Sequence, residues 1–188
     1  MRLVVAITGA TGSIYAVNLL KALKRKNIEV HLVVSKWALK TLKIETGLQI
    51  EDLRSYASYI YDETDMDASI SSGSFHHQGM IILPCSMKTL SGIANGFSYN
   101  LIIRAADVTL KEKRKLILVP RETPLNSIHL ENMLVLAKMG VSIIPPIPAF
   151  YYNPKTIDEL VNHLVAKVLD QLGLQQNLIP EWGIKLDK

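Results

Sequence analysis

Five apolar runs of strand length recur along this chain, at residues 3–8, 30–34, 80–84, 116–120 and 141–145. None alternates strictly with polar residues, so each strand needs cover on both faces. The segments between them, 14–26, 36–46, 88–112 and 129–139, carry 3.6-residue apolar spacing, and a last helix is expected over about 156–172. Doubly buried strands joined by helical crossovers specify a parallel sheet with helices on both sides, an α/β three-layer sandwich. At 188 residues the chain reads as a single domain, long enough to bury about 70% of its unfolded surface. We place that domain at 1–173 and a tail at 174–188, as an oligomer or site contact. Residues 50–78 lack a pattern, and SISSGSFHHQG reads as a loop. The last helix has a T-x-x-E start at Thr156 and Glu159 and a glycine stop at Gly173.

Several function classes are disfavoured early. The longest apolar runs fall far short of the ~20 residues a membrane helix needs. No signal peptide is visible, since strand-like residues begin at Arg2, and the single cysteine, Cys85, excludes an internal disulfide. Both fit a reducing cytoplasm. The net charge of +4 is concentrated in KEKRK (111–115). That run sits at an expected helix end, where cations complement the dipole. Without interleaved aromatic residues it does not describe a nucleic-acid surface.

In open parallel sheets, ligands bind beyond the carboxyl ends of the strands. The residues that follow the five runs are TGATGS, SKW, PCSMKT, PRETP and PPIPAFYY. Hydroxyls, cations, a carboxylate and aromatic rings therefore crowd one sheet edge, whereas the other edge has ordinary turns such as KRKNIE. A glycine-bearing turn between strand and helix suits a phosphate. TGATGS lacks the middle glycine of the dinucleotide fingerprint, however, and the second strand ends in Ser35 and Lys36 instead of a ribose-binding acid. A mononucleotide fits better than NAD.

Apolar residues cover most of the circumference of the helix at 99–112, leaving Arg104 and Lys111 in one sector with Asp107. That sector either faces solvent or pairs two cations for an anionic substrate. Cys85 reads as a small core residue, His76 and His77 as solvated loop residues, and His129 as serving a helix start. No His, Cys and carboxylate set has metal-ligand spacing.

The stretches TGATGSIYA, VSKWA, SGSF, PCSMKTL, NLIIRAADVTLKEKRKLILVPRETPL, IHLENML and PPIPAFY span nearly the whole chain. Together they resemble the UbiX/Pad-type flavin prenyltransferases of the flavodoxin-like, Rossmann-like fold. The resemblance implies joining a dimethylallyl group from dimethylallyl phosphate to N5 and C6 of reduced FMN, without a metal. The product, prenylated FMN, would serve a UbiD-type decarboxylase. It also implies a homo-oligomer, often a dodecamer.

Carried over, the FMN contacts are Gly9, Ala10, Thr11, Ser35, Ser86, Met87, Lys88, Thr89 and Arg121. The prenyl phosphate would meet Arg104, Lys111, Glu122, Tyr151 and Lys167, partly across a subunit boundary, which favours the paired-cation reading. Many family members carry arginine at Lys167; lysine keeps the charge and loses the bidentate fork. Cations would stabilise the departing phosphate, Glu122 would be the acid/base, and the faces of Trp37 or Tyr151 would suit an allyl cation, though Trp37 reads more simply as packing. The rival readings are a flavin-dependent cysteine decarboxylase of the same fold, whose histidine site and clamp motifs are missing, and an FMN-binding subunit of an aromatic acid decarboxylase.

Overall fold

The computed structural model describes residues 1–179. Six strands pair in parallel: β1 (Arg2–Ile7), β2 (Glu29–Val34), β3 (Tyr59–Asp62), β4 (Gly79–Cys85), β5 (Lys115–Pro120) and β6 (Ser142–Ile143). Their order is β3-β2-β1-β4-β5-β6. Without β3, this is the flavodoxin-like order. The seven α-helices among the described residues are α1 (Ser13–Arg25), α2 (Lys36–Thr46), α3 (Ile50–Leu53), α4 (Met87–Ala94), α5 (Leu101–Lys111), α6 (Ser127–Lys138) and α7 (Ile157–Gln171).

Strand periodicity sorts the core into two layers. Leu3, Val5 and Ile7 of β1 pack with Leu19, Leu20 and Leu23 of α1 and with Val161, Val165 and Val168 of α7. The alternate residues Val4 and Ala6 pack with Leu90 of α4, Ile102 and Ala106 of α5, and Leu136 of α6. The large aliphatic side chains in both layers are almost wholly buried, each stabilising the fold by about 1.5–3 kcal/mol relative to exposure.

Three sequence expectations need correction. The stretch 50–78 contains α3, β3 and a 3-10 turn at Ser69–Ser71. Strand β3 is a half-exposed edge (YIYD) with no apolar run to announce it. The 88–112 segment is two helices, because Asn100 ends a loop and restarts the chain by accepting the Ile103 N–H at 3.1 Å. His77 is buried, its Nδ1 3.1 Å from Gly79 O, whereas its neighbour His76 is exposed. Other expectations hold. Thr156 accepts the Glu159 N–H at 3.2 Å, although Glu159 reaches back to Lys155 N and not to the cap. His129 and Asn126 cap α6 reciprocally, and Cys85 lies in the core, where burial drives its thiol pKa far upward. Within the expected tail, Leu174 and Leu178 pack on the core and Lys26 Nζ donates to Gln175 O; residues 180–188 lie outside the described residues.

Candidate active site

The strand order reverses between β1 and β4, which open side by side. Thr8, just past β1, is buried and bridges them. Its Oγ1 donates to Pro84 O at 2.8 Å and accepts the Ser86 N–H at 2.7 Å. The loop 9–12 starts from this clamp. Gly9 has no room for a side chain, since a Cβ there would stand 2.5 Å from Trp37 Cβ. Gly12, at φ 119°, takes the left-handed conformation that turns the chain into α1.

The sequence pointed to a phosphate at the start of α1. In the structure those donors hold a carboxylate: Glu45, at the far end of α2, accepts the Gly12 N–H at 3.0–3.1 Å and the Ser13 N–H at 2.7 Å. Its negative charge faces the positive end of the α1 dipole. Sequence reasoning missed this residue, because 33 residues separate it from Gly12.

The loop divides the sheet edge into two cavities. The first, of about 240 Å³, is lined by Thr8, Gly9, Ser35, Trp37, Glu63, Ser86, Lys88, Thr89, Tyr99 and Asn100. The amino ends of α2 and α4 open into it. Ser35 caps α2 by accepting the Ala38 N–H at 3.2 Å, and Ser86 caps α4 by accepting the Thr89 N–H at 3.3 Å. Lys88 Nζ stands 5.1 Å from the centre of the Tyr99 ring. Glu63 was also missed. Its carboxylate accepts the Lys36 N–H at 2.7 Å and the Asn100 Nδ2–H at 2.8 Å, joining the starts of α2 and α5. Trp37 was expected to be ordinary packing; it is instead 62% exposed, with Lys40 Nζ 4.4 Å from its ring centre.

The second cavity, of about 410 Å³, lies on the other side of the loop and is lined by Thr11, Gly12, Ile14, Tyr15, Glu45, Arg121 and Pro146. Arg121 N donates to Cys85 O at 3.2 Å, which sets its backbone beside Ser86. The expected flavin contacts thus fall around one loop: Gly9, Ser35, Ser86, Lys88 and Thr89 on one side, Thr11 and Arg121 on the other, with Ala10 between. The Met87 side chain belongs to the core, so its backbone is the part nearest the cavity.

The expected donor-phosphate residues are not gathered within one chain. Arg104 donates to Ser71 O at 3.1 Å and to Asp107 at 2.9 Å, and Lys111 pairs with Glu112 at the far end of α5. Glu122 lies outside both linings and accepts the Thr123 N–H at 3.1 Å. Tyr151 lies against α7, and Lys167, on that helix, has its Nζ 3.9 Å from Asp170. His163 Nε2 is 3.2 Å from Tyr151 Oη, and the Lys167 charge helps burial hold the His163 pKa below its usual range. Among the described residues, no three His, Cys, Asp or Glu side chains are grouped as a metal site, and no helix is long and apolar enough to cross a membrane.

A nucleotide-binding protein of the flavodoxin-like class is what this strand order, with two cavities at the carboxyl edge of the sheet, describes. Comparison with known proteins narrows the class. The chain belongs to the Flavoprotein family, whose profile matches residues 1–169, and within it to the UbiX-like flavin prenyltransferases. It is 55% identical over 182 residues to the flavin prenyltransferase LpdB of Lactiplantibacillus plantarum, covering 96% of this chain and 97% of that protein. Among solved structures it is similar to a dodecameric FMN-dependent UbiX-like decarboxylase from Escherichia coli O157:H7, at 55% identity and a TM-score of 0.92. That match covers 93% of this chain and 96% of that one. A UbiX protein in complex with FMN and dimethylallyl pyrophosphate is 49% identical, with a TM-score of 0.95 and 97% of each chain covered.

Proposed function

We propose that this protein is a flavin prenyltransferase, transferring a dimethylallyl group from dimethylallyl phosphate to reduced FMN. The observation that carries this reading is the pair of cavities on either side of the Gly9–Gly12 loop, one fitted to a phosphate and the other to a ring. The first cavity suits the phosphate end of FMN, for two helix starts, the hydroxyl residues Thr8, Ser35, Ser86, Thr89 and Tyr99, and one lysine line it, while the Glu63 carboxylate there is taken up by the Lys36 N–H and Asn100. Ser35, Ser86, Lys88 and Thr89 would hold that end, Gly9 and Ala10 would let the nucleotide pass close to the backbone, and Thr11 and Arg121 would border the ring. When bound, reduced FMN supplies the nucleophile that accepts the allyl group.

The chain's own groups supply the rest. Cations at Arg104, Lys111 and Lys167, with Tyr151 and Glu122, would bind the donor's phosphate and stabilise its charge as it leaves, so no metal is required. Arg104 and Lys111 would reach the site from a neighbouring subunit of a homo-oligomer, a dodecamer as in the E. coli relative. Of the two carboxylates, Glu45 lines the ring cavity and Glu122 does not. In this reading Glu45 takes the proton released on ring closure, and Glu122 stays with the donor's phosphate. The product would pass to a UbiD-type decarboxylase in the cytoplasm.

The test mixes the purified protein anaerobically with reduced FMN and dimethylallyl phosphate and weighs the flavin by mass spectrometry. A flavin heavier by one five-carbon unit is expected. Recovery of unchanged FMN under saturating donor would overturn the proposal.

A further inference from the structure

Residue His163 had no role in the sequence reading, yet three contacts fix it. The segment before α7 turns at Asn153, whose N–H bonds Phe150 O at 2.9 Å, and folds Tyr151 and Tyr152 back over the helix. Tyr152 Oη donates to Glu159 O at 3.0 Å and so is anchored to the first turn of α7. The imidazole of His163 lies flat against the Tyr152 ring, at 5.5 Å and 10°, and edge-on to the Tyr151 ring, at 5.8 Å and 78°. The two tyrosines pack edge to face on each other at 5.4 Å. With its ring plane held this way, Nε2 stands 3.2 Å from Tyr151 Oη. Lys167 is four residues along the same helix, hence on the same face.

We infer that His163 is a positioning residue for the donor's phosphate: it orients the Tyr151 hydroxyl toward the phosphate that Lys167 also meets. This rests on the reading that Tyr151 and Lys167 bind that phosphate. A tyrosine hydroxyl has one proton to give. If the proton goes to a phosphate oxygen, Tyr151 Oη must accept at its other side, and a His163 Nε2–H is placed to donate there. The stack on Tyr152 holds the plane of the imidazole, and burial, helped by the Lys167 charge, lowers its pKa and favours the neutral ring. His163 touches neither flavin cavity lining, so its effect falls on donor binding and not on flavin binding.

The experiment measures KM and kcat for dimethylallyl phosphate with the full-length enzyme at saturating reduced FMN. His163→Phe keeps the stack and loses the hydrogen bond; KM is expected to rise about three- to tenfold with little change in kcat or FMN affinity. His163→Gln, which retains an N–H donor, should recover most of that loss. Tyr151→Phe should raise KM by itself, and adding His163→Phe to it should change nothing further. An unchanged KM in His163→Phe, additive effects in the double variant, or no recovery with glutamine overturns the inference while leaving Tyr151 as a donor contact. If Tyr151→Phe and Lys167→Ala both bind donor normally, the phosphate lies elsewhere and the underlying reading fails with it.

Discussion

The Ser86 N–H donates to Thr8 Oγ1 across 2.7 Å, joining the ends of two strands that are 78 residues apart in the chain. The same hydroxyl donates to Pro84 O. One buried side chain thereby fixes where the glycine loop leaves β1 relative to the start of α4, and both border the cavity assigned to the phosphate.

Replacing Thr8 by valine keeps the shape and removes the bridge. The half-buried Ser86 N–H then loses its partner, at a cost of about 1–1.5 kcal/mol. Urea unfolding should show that loss in Thr8→Val and less than about 1 kcal/mol in Thr8→Ser, which keeps the hydroxyl. Equal midpoints for the two variants would remove the bridge from the account.

Gly9→Ala places a methyl 2.5 Å from Trp37 Cβ. The obstructing atom is fixed to the backbone, so no rotamer change relieves it, and we expect a cost of about 1–3 kcal/mol with weaker FMN binding. Adding Trp37→Ala should not restore either property, because alanine keeps the Cβ; Trp37→Gly should. Flavin titration of the three proteins checks the order, and rescue by Trp37→Ala would contradict it.

Arg104 and Tyr151 are assigned to opposite sides of a subunit boundary. Each single variant, Arg104→Ala or Tyr151→Phe, should be impaired as a homo-oligomer. Assembled together in equal amounts, they should regain roughly a quarter of the wild-type sites, since that fraction combines an intact cavity with an intact neighbour. Product formation by the mixed assembly measures this. No recovery would place both residues in one chain's site.

Acid should loosen the opposite edge of the sheet. Burial is the main cause that lowers the pKa values of His31 and His77, although hydrogen bonds to Glu29 and to Gly79 O oppose it. The unfolded chain therefore binds protons that the folded one resists. Stability is full above the ordinary histidine value of about 6.5 and is lost as pH falls through the lower folded values. Each histidine contributes at most about 1.4 kcal/mol per pH unit in that window. A melting series from pH 7 downward should slope less steeply in His77→Gln than in wild type; parallel slopes would show that His77 does not titrate with unfolding.

The parallel sheet, its two covered faces and the crowding of chemistry at one edge were legible in the sequence, because apolar periodicity is a local record of which side of an element is buried. The edge strand β3 was not, since YIYD is half exposed and carries no such record. The start of α5 was legible to within two residues, as a helix at 99–112, but the stop of α4 at Ala94 was not, because apolar residues continue on both sides of the break. At the site, Ser35, Ser86 and Thr89 follow strands and could be read directly. Glu45 and Glu63 could not, because each reaches its amide partners from another element.

The residues by themselves determined the α/β layering and the edge on which chemistry collects, because backbone preference and burial pattern act over a few neighbouring positions. Only the tertiary structure decided that a carboxylate, and not a phosphate, faces the start of α1, that the glycine loop separates two cavities, and that His163 stands against Tyr151. Those are distances between elements, set by how the helices pack on the sheet, and no local pattern encodes them.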